Sequence, residues 1–192
     1  MTTLRIVLFL GLVLHKAVWE IMKRRDGSPP VVLHQKTPSP IKRVTKVAKI
    51  AALAFLIVQT LFPKYILPIA DNPEVIQFIG LTIYLTGLAI AISARIQLGT
   101  NWSNIEDQQV MPNQQLVQTG IFRFIRHPIY LGDMLLVLGL ELALNSWLFL
   151  GALALVPYVA KQARAEEKEL QKAFPDYETY RQRTKMFIPF LL

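Results

Sequence analysis

The stretch RFIRHPIYLGD, Arg123–Asp133, places a basic, proline-containing segment directly before a strongly apolar run. Pro128 suits the first turn of a helix, where its missing N–H costs nothing, and His127 then takes the capping position. Tyr130 lies three residues beyond His127, so the two side chains share a helix face, and Asp133 continues that face one turn deeper. The stretch therefore predicts a helix start that carries polar side chains into an apolar helix.

Apolar runs of about the 20 residues that a transmembrane helix needs recur along the chain of 192 residues. Hydrophobic residues make up 53% of it and charged residues 18%, which is less charge than soluble domains carry. The runs are Leu4–Met22, Val47–Ala70, Glu74–Leu98, Ile129–Leu144 and Trp147–Ala160. The last two are separated by Asn145–Ser146 and predict a tight helical hairpin or two tilted spans. We predict an all-α polytopic integral membrane protein of about five transmembrane helices, with a C-terminal helical hairpin and a cytosolic tail helix.

The basic residues predict how these helices are oriented. KRRDGSPP, Lys23–Pro30, follows the first run, which favours a retained span over a signal peptide, whose charge would precede the apolar core. Lysine and arginine gather in the connections on this side, and only Arg5 and Lys64 fall on the other, beside Asp71 and Glu74. Because basic loops stay in the cytosol, we expect the N-terminus outside and the active site facing the cytosol. The protein would be a multi-pass protein of a cell inner membrane or an endoplasmic-reticulum-type membrane.

The composition excludes several kinds of site. The chain has no cysteine, which excludes a disulfide framework, a thiolate metal site and a cysteine nucleophile. It has three histidines without ligand spacing, so we predict no metal. The net charge of +8 is assigned to cytosolic loops rather than to nucleic acid, since no basic stretch is interleaved with aromatic residues.

Several polar residues lie within or beside the predicted spans. Asp71 or Asn72 is expected to cap the third helix, with Pro73 in its first turn. Glu141, near the outer end of its span, is expected to reach lipid headgroups. His15 and His34 have no partner evident in the sequence.

Each motif taken alone also has a purely structural explanation. Arg123, Arg126 and His127 would make a basic flank at the membrane interface, with Tyr130 in the aromatic belt. The tail run ARAEEKELQKAFPDYETYRQR would be a solvated helix laced with i,i+4 pairs. In LGTNWSN, a helix-stopping glycine and an interfacial tryptophan suffice. Asp133 favours a site, because a carboxylate inside a span usually faces a cavity or a partner.

The order of the motifs across Leu98–Pro189 goes beyond these explanations. It reads LG-x-x-WS, then LV-x-x-GIFR-x-x-RHP-x-Y-x-G, then R-x-EE-x-x-L, F-x-x-Y-x-x-Y and IP. This combination resembles the isoprenylcysteine carboxyl methyltransferase family, including its small prokaryotic members, and is similar to the related phospholipid N-methyltransferases. Residues 1–97 match only as hydrophobic spans. We therefore predict N-terminal transmembrane helices over 1–97 and a catalytic, cofactor-binding region over 98–192.

The resemblance implies an integral-membrane enzyme that transfers a methyl group from S-adenosyl-L-methionine to a lipidic or prenylated acceptor. Its partners would be the bilayer and that lipidic substrate. The cofactor-binding residues implied by the motifs are Gln115, Leu116, Val117, His127, Pro128, Tyr130, Gly132, Glu166 and Glu167. Arg126, Arg164 and Glu167 are the implied catalytic residues, the two arginines as ligands of a carboxylate. Tyr177 and Tyr180 are also placed in the site, although FPDY is a residue shorter than the family's FG-x-x-Y.

Alternatives remain open on the sequence alone. RHP-x-Y-LGD is also similar to the end of sterol-type membrane reductases that use NADPH, and a methyltransferase does not require Asp133. Such reductases are much longer, and the EE-x-x-L helix favours methyl transfer. A non-enzymatic membrane protein, whose charges serve topology and packing, is the third hypothesis. The methyl acceptor could be a prenylated cysteine, a phospholipid amine, a small thiol or an isoprenoid.

Overall fold

The computed structural model describes residues 2–25, 40–62, 67–101 and 114–188, and within these ranges every regular element is helical. The all-α prediction is therefore confirmed for the described part of the chain. Short 3-10 turns occur at Gly99–Asn101 and Gly120–Arg123. The helices are α1 Thr2–Arg25, α2 Pro40–Leu61, α3 Glu74–Leu98, α4 Pro128–Ala143, α5 Phe149–Ala154, α6 Val156–Ala173 and α7 Tyr177–Arg183.

α3 has the bounds that its apolar run predicts, Glu74–Leu98. The predicted cap is wrong, because Pro73 takes the N-cap position and no side chain caps the helix. Among the described residues, one helix, Glu74–Asn101 with its 3-10 extension, is long and apolar enough to cross a membrane, and Val47–Leu61 is a shorter apolar helix. The count of five spans stays a prediction.

α2 ends earlier than its apolar run predicts. The run extends to Ala70, but the helix ends at Leu61, two positions before Pro63 in the sequence. Proline cannot continue a helix because it lacks the N–H that the ladder needs. Beyond it, Pro68 forms an isolated β-bridge with Ser146, so the chain returns to the bundle.

α3 and α4 form the central pair of the fold, antiparallel and in close backbone contact. A methyl group added at Gly132 would lie 2.6 Å from the backbone nitrogen of Ala91, and one at Gly87 would lie 2.5 Å from that of Leu136. Small residues allow this approach, which is how helices pack where water supplies no driving force. The seam fixes the position of α4 along α3, so the start of α4 lies near the end of α3.

α1 packs against the same pair through an apolar core. Leu8 and Leu12 of α1 are buried with Tyr84 and Leu88 of α3 and with Leu140 of α4. The Tyr84 hydroxyl donates a hydrogen bond of 2.6 Å to the carbonyl of Leu8. This bond satisfies a buried polar group and ties α1 to the middle of α3.

The predicted hairpin forms, but its second arm differs from the prediction. The arm breaks between α5 and α6, and α6 begins with Pro157 in its first turn, where proline is tolerated. α6 then continues without interruption past Ala160 to Ala173, so the apolar run and the charged tail helix are one element. As a result, the charged side chains of α6 return toward the start of α4.

The turn of the hairpin buries the carboxylate that was expected at the headgroups. Glu141 is 2% exposed, and its Oε2 accepts a hydrogen bond of 2.7 Å from Nε2 of Gln59 on α2. Asn145, in the left-handed region with φ of 58°, holds the returning chain through hydrogen bonds with the backbone of Ile69 and Ala70. The expectation for Glu141 is wrong, because the turn packs against α2 and encloses the side chain.

Candidate active site

A cavity of about 410 Å³ lies where the start of α4, the middle of α6 and the segment 114–117 converge. Its volume is in the range of small-molecule and cofactor sites. The sequence-predicted residues in its wall are Gln115, Leu116, Val117, Arg126, His127, Pro128, Tyr130, Glu166, Tyr177 and Tyr180. Motifs that are far apart in the sequence therefore meet around one space.

A buried carboxylate, Glu167 of α6, joins the RHP motif to the EE motif. Its Oε1 accepts hydrogen bonds from Nε of Arg126 at 2.6 Å and from Nε2 of His127 at 3.1 Å. Burial raises the pKa of the Glu167 carboxyl, but the hydrogen bonds from His127 and Arg126 outweigh it and hold that pKa below its usual value. Glu167 is therefore an ionised anchor behind the cavity wall rather than part of the wall.

Arg126 is largely committed to the protein itself. Besides its bond to Glu167, its Nη1 donates to the backbone carbonyls of Thr184 at 2.5 Å and of Arg181 at 3.1 Å. A guanidinium with Nε and Nη1 both engaged orders the polypeptide around it. This geometry favours a positioning role for Arg126 over that of a free ligand for a substrate carboxylate.

The Glu166 carboxylate is held on the cavity side of the same helix. The Tyr130 hydroxyl donates a hydrogen bond of 2.7 Å to Oε2 of Glu166. The rings of His127 and Tyr130 stack in parallel, with centroids 5.3 Å apart and planes 2° apart, so these side chains do share one face. His127 Nδ1 lies 3.8 Å from the same carboxylate oxygen. The stacked pair thus presents a partly exposed negative charge to the cavity.

The C-terminal segment runs beside the RHP motif and fixes its backbone. The N–H groups of Arg126 and His127 donate to the carbonyls of Lys185 at 2.8 Å and Met186 at 3.1 Å, and Lys185 donates back to Phe124 at 3.1 Å. These contacts were not predicted from the sequence. They use main-chain atoms, so no side-chain pattern signals them.

Two side chains at the end of α3 hold the segment that leads into the cavity wall. Asn101 Oδ1 accepts a hydrogen bond of 2.6 Å from the N–H of Gln115, and Gln97 Oε1 accepts one of 2.8 Å from the N–H of Ile121. These bonds place Leu116 and Val117 along the cavity as an apolar strip. Such a strip can cover a flat aromatic ring.

Tyr177 carries a polar atom that the protein leaves without a partner. The side chain is 1% exposed, lines the cavity, and its hydroxyl has no hydrogen-bond partner among the described residues. Burial raises the pKa of this phenol, so it is a neutral donor. A buried hydroxyl at a cavity wall is a group that a ligand can satisfy.

Two predicted residues lie elsewhere. Gly132 faces Ala91 in the seam between α3 and α4 and does not line the cavity. Arg164 is exposed on α6 and is likewise outside the wall. Trp102, the tryptophan of LGTNWSN, and His34 lie outside the described residues.

The N-terminal helices contribute to the site, although they were predicted from the sequence only as transmembrane helices. Trp19 of α1 and Lys49 of α2 line the cavity, as does Asp133 of α4. His15 donates a hydrogen bond of 2.9 Å from Nε2 to Oδ1 of Asp133. The available signal was the histidine itself, because an ionisable residue within an apolar span implies a partner.

Comparison with known proteins identifies the family. A family model described as phospholipid methyltransferase matches residues 75–177, which is more than half of the chain. The protein-S-isoprenylcysteine O-methyltransferase of Schizosaccharomyces pombe is 29% identical over 133 residues, covering 68% of this chain and 56% of that protein. The cobalt-zinc-cadmium resistance protein CzcN of Cupriavidus metallidurans is 31% identical over 116 residues, covering 58% of this chain and 50% of that protein. The chain thus spans about half the length of these relatives.

A solved structure shares the fold. It is described as a eukaryotic intramembrane Ras methyltransferase, isoprenylcysteine carboxyl methyltransferase, and aligns with a TM-score of 0.64 at 22% identity. The alignment covers 98% of this chain and 68% of that one. None of these comparisons supports the reductase alternative. The protein belongs to the phospholipid methyltransferase family.

Proposed function

We propose that the protein is an integral-membrane methyltransferase that uses S-adenosyl-L-methionine and methylates a prenylated acceptor of the isoprenylcysteine carboxyl type. The observation that carries this proposal is the convergence of the RHP and EE motifs on one cavity, through the bonds from Tyr130 to Glu166 and from His127 to Glu167. Membership of the methyltransferase family and the relatives named as isoprenylcysteine O-methyltransferases support the same reaction.

The residues of the cavity wall fit this cofactor, which supplies a methyl group on a cationic sulfur. Leu116 and Val117 offer an apolar surface for the adenine ring. The Glu166 carboxylate, half-exposed toward the cavity, suits the amino group or the sugar hydroxyls, and the unpartnered hydroxyl of Tyr177 adds a donor. The negative charge of Glu166 also favours a cationic ligand.

The other side of the cavity fits a lipid tail. Its lining there is apolar and includes Met134 and Val137 of α4, Leu155 between α5 and α6, and Val159 of α6. A prenyl chain of an acceptor would lie against these side chains, within reach of the membrane. The acceptor head would then face the cofactor end, where His127 and Tyr130 stand.

The reaction requires positioning more than acid–base chemistry. The acceptor carboxylate is already ionised at neutral pH, so methyl transfer would form its oxygen–carbon bond as the carbon–sulfur bond of the bound donor broke, with that electron pair left on sulfur. The products would be a methyl ester and S-adenosylhomocysteine, and this chain would need to supply no base. The hydrogen bonds among Arg126, His127 and Glu167 would hold this part of the cavity wall in place, so that acceptor and methyl donor are positioned for transfer.

The topology forms part of the proposal. The distribution of basic residues supports an N-terminus outside, a cavity at the cytosolic face and a bundle of about five spans. Residues 1–97 would supply N-terminal spans and residues 98–192 most of the catalytic region. The cell inner membrane or an endoplasmic-reticulum-type membrane would hold it.

The test combines cofactor binding with product chemistry. Purified protein in nanodiscs should bind S-adenosylhomocysteine by calorimetry, and His127→Ala should abolish this binding. With labelled cofactor, an S-prenylated N-acetylcysteine should accept a methyl group that mild base releases as methanol, whereas N-acetylcysteine should not. Failure of the folded protein to bind S-adenosylhomocysteine overturns the proposal. A base-stable methyl group on phosphatidylethanolamine instead would replace the acceptor class.

A further inference from the structure

His15, Trp19 and Asp133 form a polar cluster at the side of the cavity that α1 closes. The imidazole of His15 donates to Asp133 at 2.9 Å and stacks on the indole of Trp19, with ring centroids 4.1 Å apart. Trp19 and Asp133 both line the cavity. The indole therefore orients the imidazole, and the imidazole orients the carboxylate.

This cluster combines residues from inside and outside the region that defines the family. Asp133 lies within residues 75–177, which the family model matches, whereas His15 and Trp19 lie on α1, outside it. Asp133 also lies six residues beyond His127 on the same helix, which places it deeper along α4 than the stacked rings. The cluster therefore lies in a different part of the cavity wall from the residues proposed to bind the cofactor.

The charge of Asp133 conflicts with an anionic acceptor unless something compensates it. Its side chain is 45% exposed, toward a cavity whose wall also carries the Glu166 carboxylate. At an effective dielectric of about 20, the repulsion between two like charges about 12 Å apart weakens binding by about tenfold. An imidazole N–H that donates to the carboxylate partly offsets the negative potential that Asp133 presents to the cavity.

We propose that His15 and Asp133 are a specificity-determining pair, in which His15 masks the Asp133 carboxylate so that the cavity accepts a carboxylate-bearing acceptor. The inference rests on the proposed methyl transfer. Without His15, the exposed carboxylate repels an anionic acceptor head and attracts a cationic one. Lys49 of α2 also lines the same cavity.

A double-mutant cycle tests the pair in the full-length protein in nanodiscs. His15→Phe keeps a ring over Trp19 and removes the donor, and it should raise the KM for an S-prenylated N-acetylcysteine about tenfold. The KM for S-adenosyl-L-methionine should stay within about twofold. An S-prenylated cysteamine, with the same tail and an amine head, should inhibit His15→Phe more tightly than wild type. In an Asp133→Asn background, His15→Phe should no longer raise the acceptor KM, because no charge remains to mask.

The control is Lys16→Gln, which breaks the neighbouring exposed ion pair between Lys16 and Glu20 on α1 and should leave both KM values unchanged. A tenfold rise that persists in the Asp133→Asn background would show a packing defect and overturn the proposal. So would an unchanged acceptor KM in His15→Phe, or an equal rise in both KM values. If His15→Phe does not accumulate, His15→Gln, which keeps a donor, should give wild-type KM values, and Asp133→Asn alone should bind the amine inhibitor more weakly than wild type. Absence of any methyl transfer by wild type refutes the proposed function, and with it this inference, by a separate result.

Discussion

Glu167 and Glu141 are two buried carboxylates at opposite ends of α4, and their partners differ in kind. Glu167, 8% exposed, accepts hydrogen bonds from the guanidinium of Arg126 and the imidazole of His127. Glu141, 2% exposed, accepts one from the neutral amide of Gln59, whose nitrogen also lies 3.4 Å from the hydroxyl of Ser146. One carboxylate stands beside the cavity, and the other is enclosed in the turn of the hairpin.

The difference separates a functional cluster from a structural one. A buried ion pair gains little net stability over apolar packing, so its presence beside the cavity is better explained by the orientation that it gives to the RHP motif. The cluster around Glu141 connects α2 with the hairpin turn, and none of Gln59, Glu141 and Ser146 lines the cavity. We therefore expect mutations at the two carboxylates to divide cleanly between activity and stability.

The largest effect is expected for Glu167→Gln. The change leaves Arg126 and His127 beside a neutral amide, and breaking a buried pair costs about 3–5 kcal/mol. We expect methyl transfer to fall at least about 100-fold and S-adenosylhomocysteine to bind about tenfold more weakly. Initial rates and calorimetry measure both effects. Glu169→Gln is the matched control, since Glu169 lies two residues further along α6 in an exposed pair with Lys172. A rate within tenfold of wild type would show that activity does not depend on the Glu167 carboxylate.

The second largest effect is expected for Tyr130→Phe, as a loss of cofactor affinity. The ring keeps its stack on His127, but the hydroxyl no longer donates to Glu166. Because a hydrogen bond to a charged group contributes about 1.5–3 kcal/mol, we expect S-adenosylhomocysteine to bind at least about tenfold more weakly. Tyr84→Phe is the control, since it also removes a buried hydroxyl but lies outside the cavity wall. Equal affinities of Tyr130→Phe and wild type would remove Glu166 from the cofactor site.

The lowered pKa of Glu167 predicts that wild type and Glu167→Gln differ in how their stability depends on pH. A carboxylate whose pKa is lower in the folded state contributes stability above its unfolded value of about 4.3, and this stability is lost as the pH falls through the folded pKa. Below about pH 4.3, the Tm of wild type should therefore fall more steeply with decreasing pH than the Tm of Glu167→Gln. Thermal unfolding in detergent between neutral and acidic pH measures the two slopes. Parallel curves would show that Glu167 is not held ionised by its partners.

Features of the fold that depend on one continuous segment were predictable from the sequence. The bounds of α3 followed from an uninterrupted apolar run that ends at Gly99, and the start of α4 followed from His127 and Pro128. The cap at Asp71 or Asn72 failed, because a capping residue type shows only that a cap is possible, and Pro73 takes that position.

Features that depend on contacts between distant segments were not predictable. His15 and Asp133 are 118 positions apart, and Glu141 is buried by Gln59, 82 positions away. Neither partner is marked by spacing along the chain. The motif order led to the correct family, while the contribution of α1 to the cavity emerged only from the packing of the helices.

The smallest effect is expected at Glu141, where the neutral partners tolerate a neutral side chain. The Oε1 of Gln59 is buried without a hydrogen-bond partner among the described residues, and Glu141→Gln supplies an amide N–H that a rotated Gln59 amide can accept. We expect kcat and both KM values within about twofold of wild type, and a Tm unchanged or slightly raised. Glu141→Leu should instead deprive the buried Gln59 amide of its acceptor at 2.7 Å, at about 1–3 kcal/mol, and lower the Tm by roughly 5 °C without loss of activity at low temperature. Activity that falls tenfold in Glu141→Gln, at an unchanged Tm, would mean that the hairpin turn communicates with the cavity and that the two carboxylates are not separate in function.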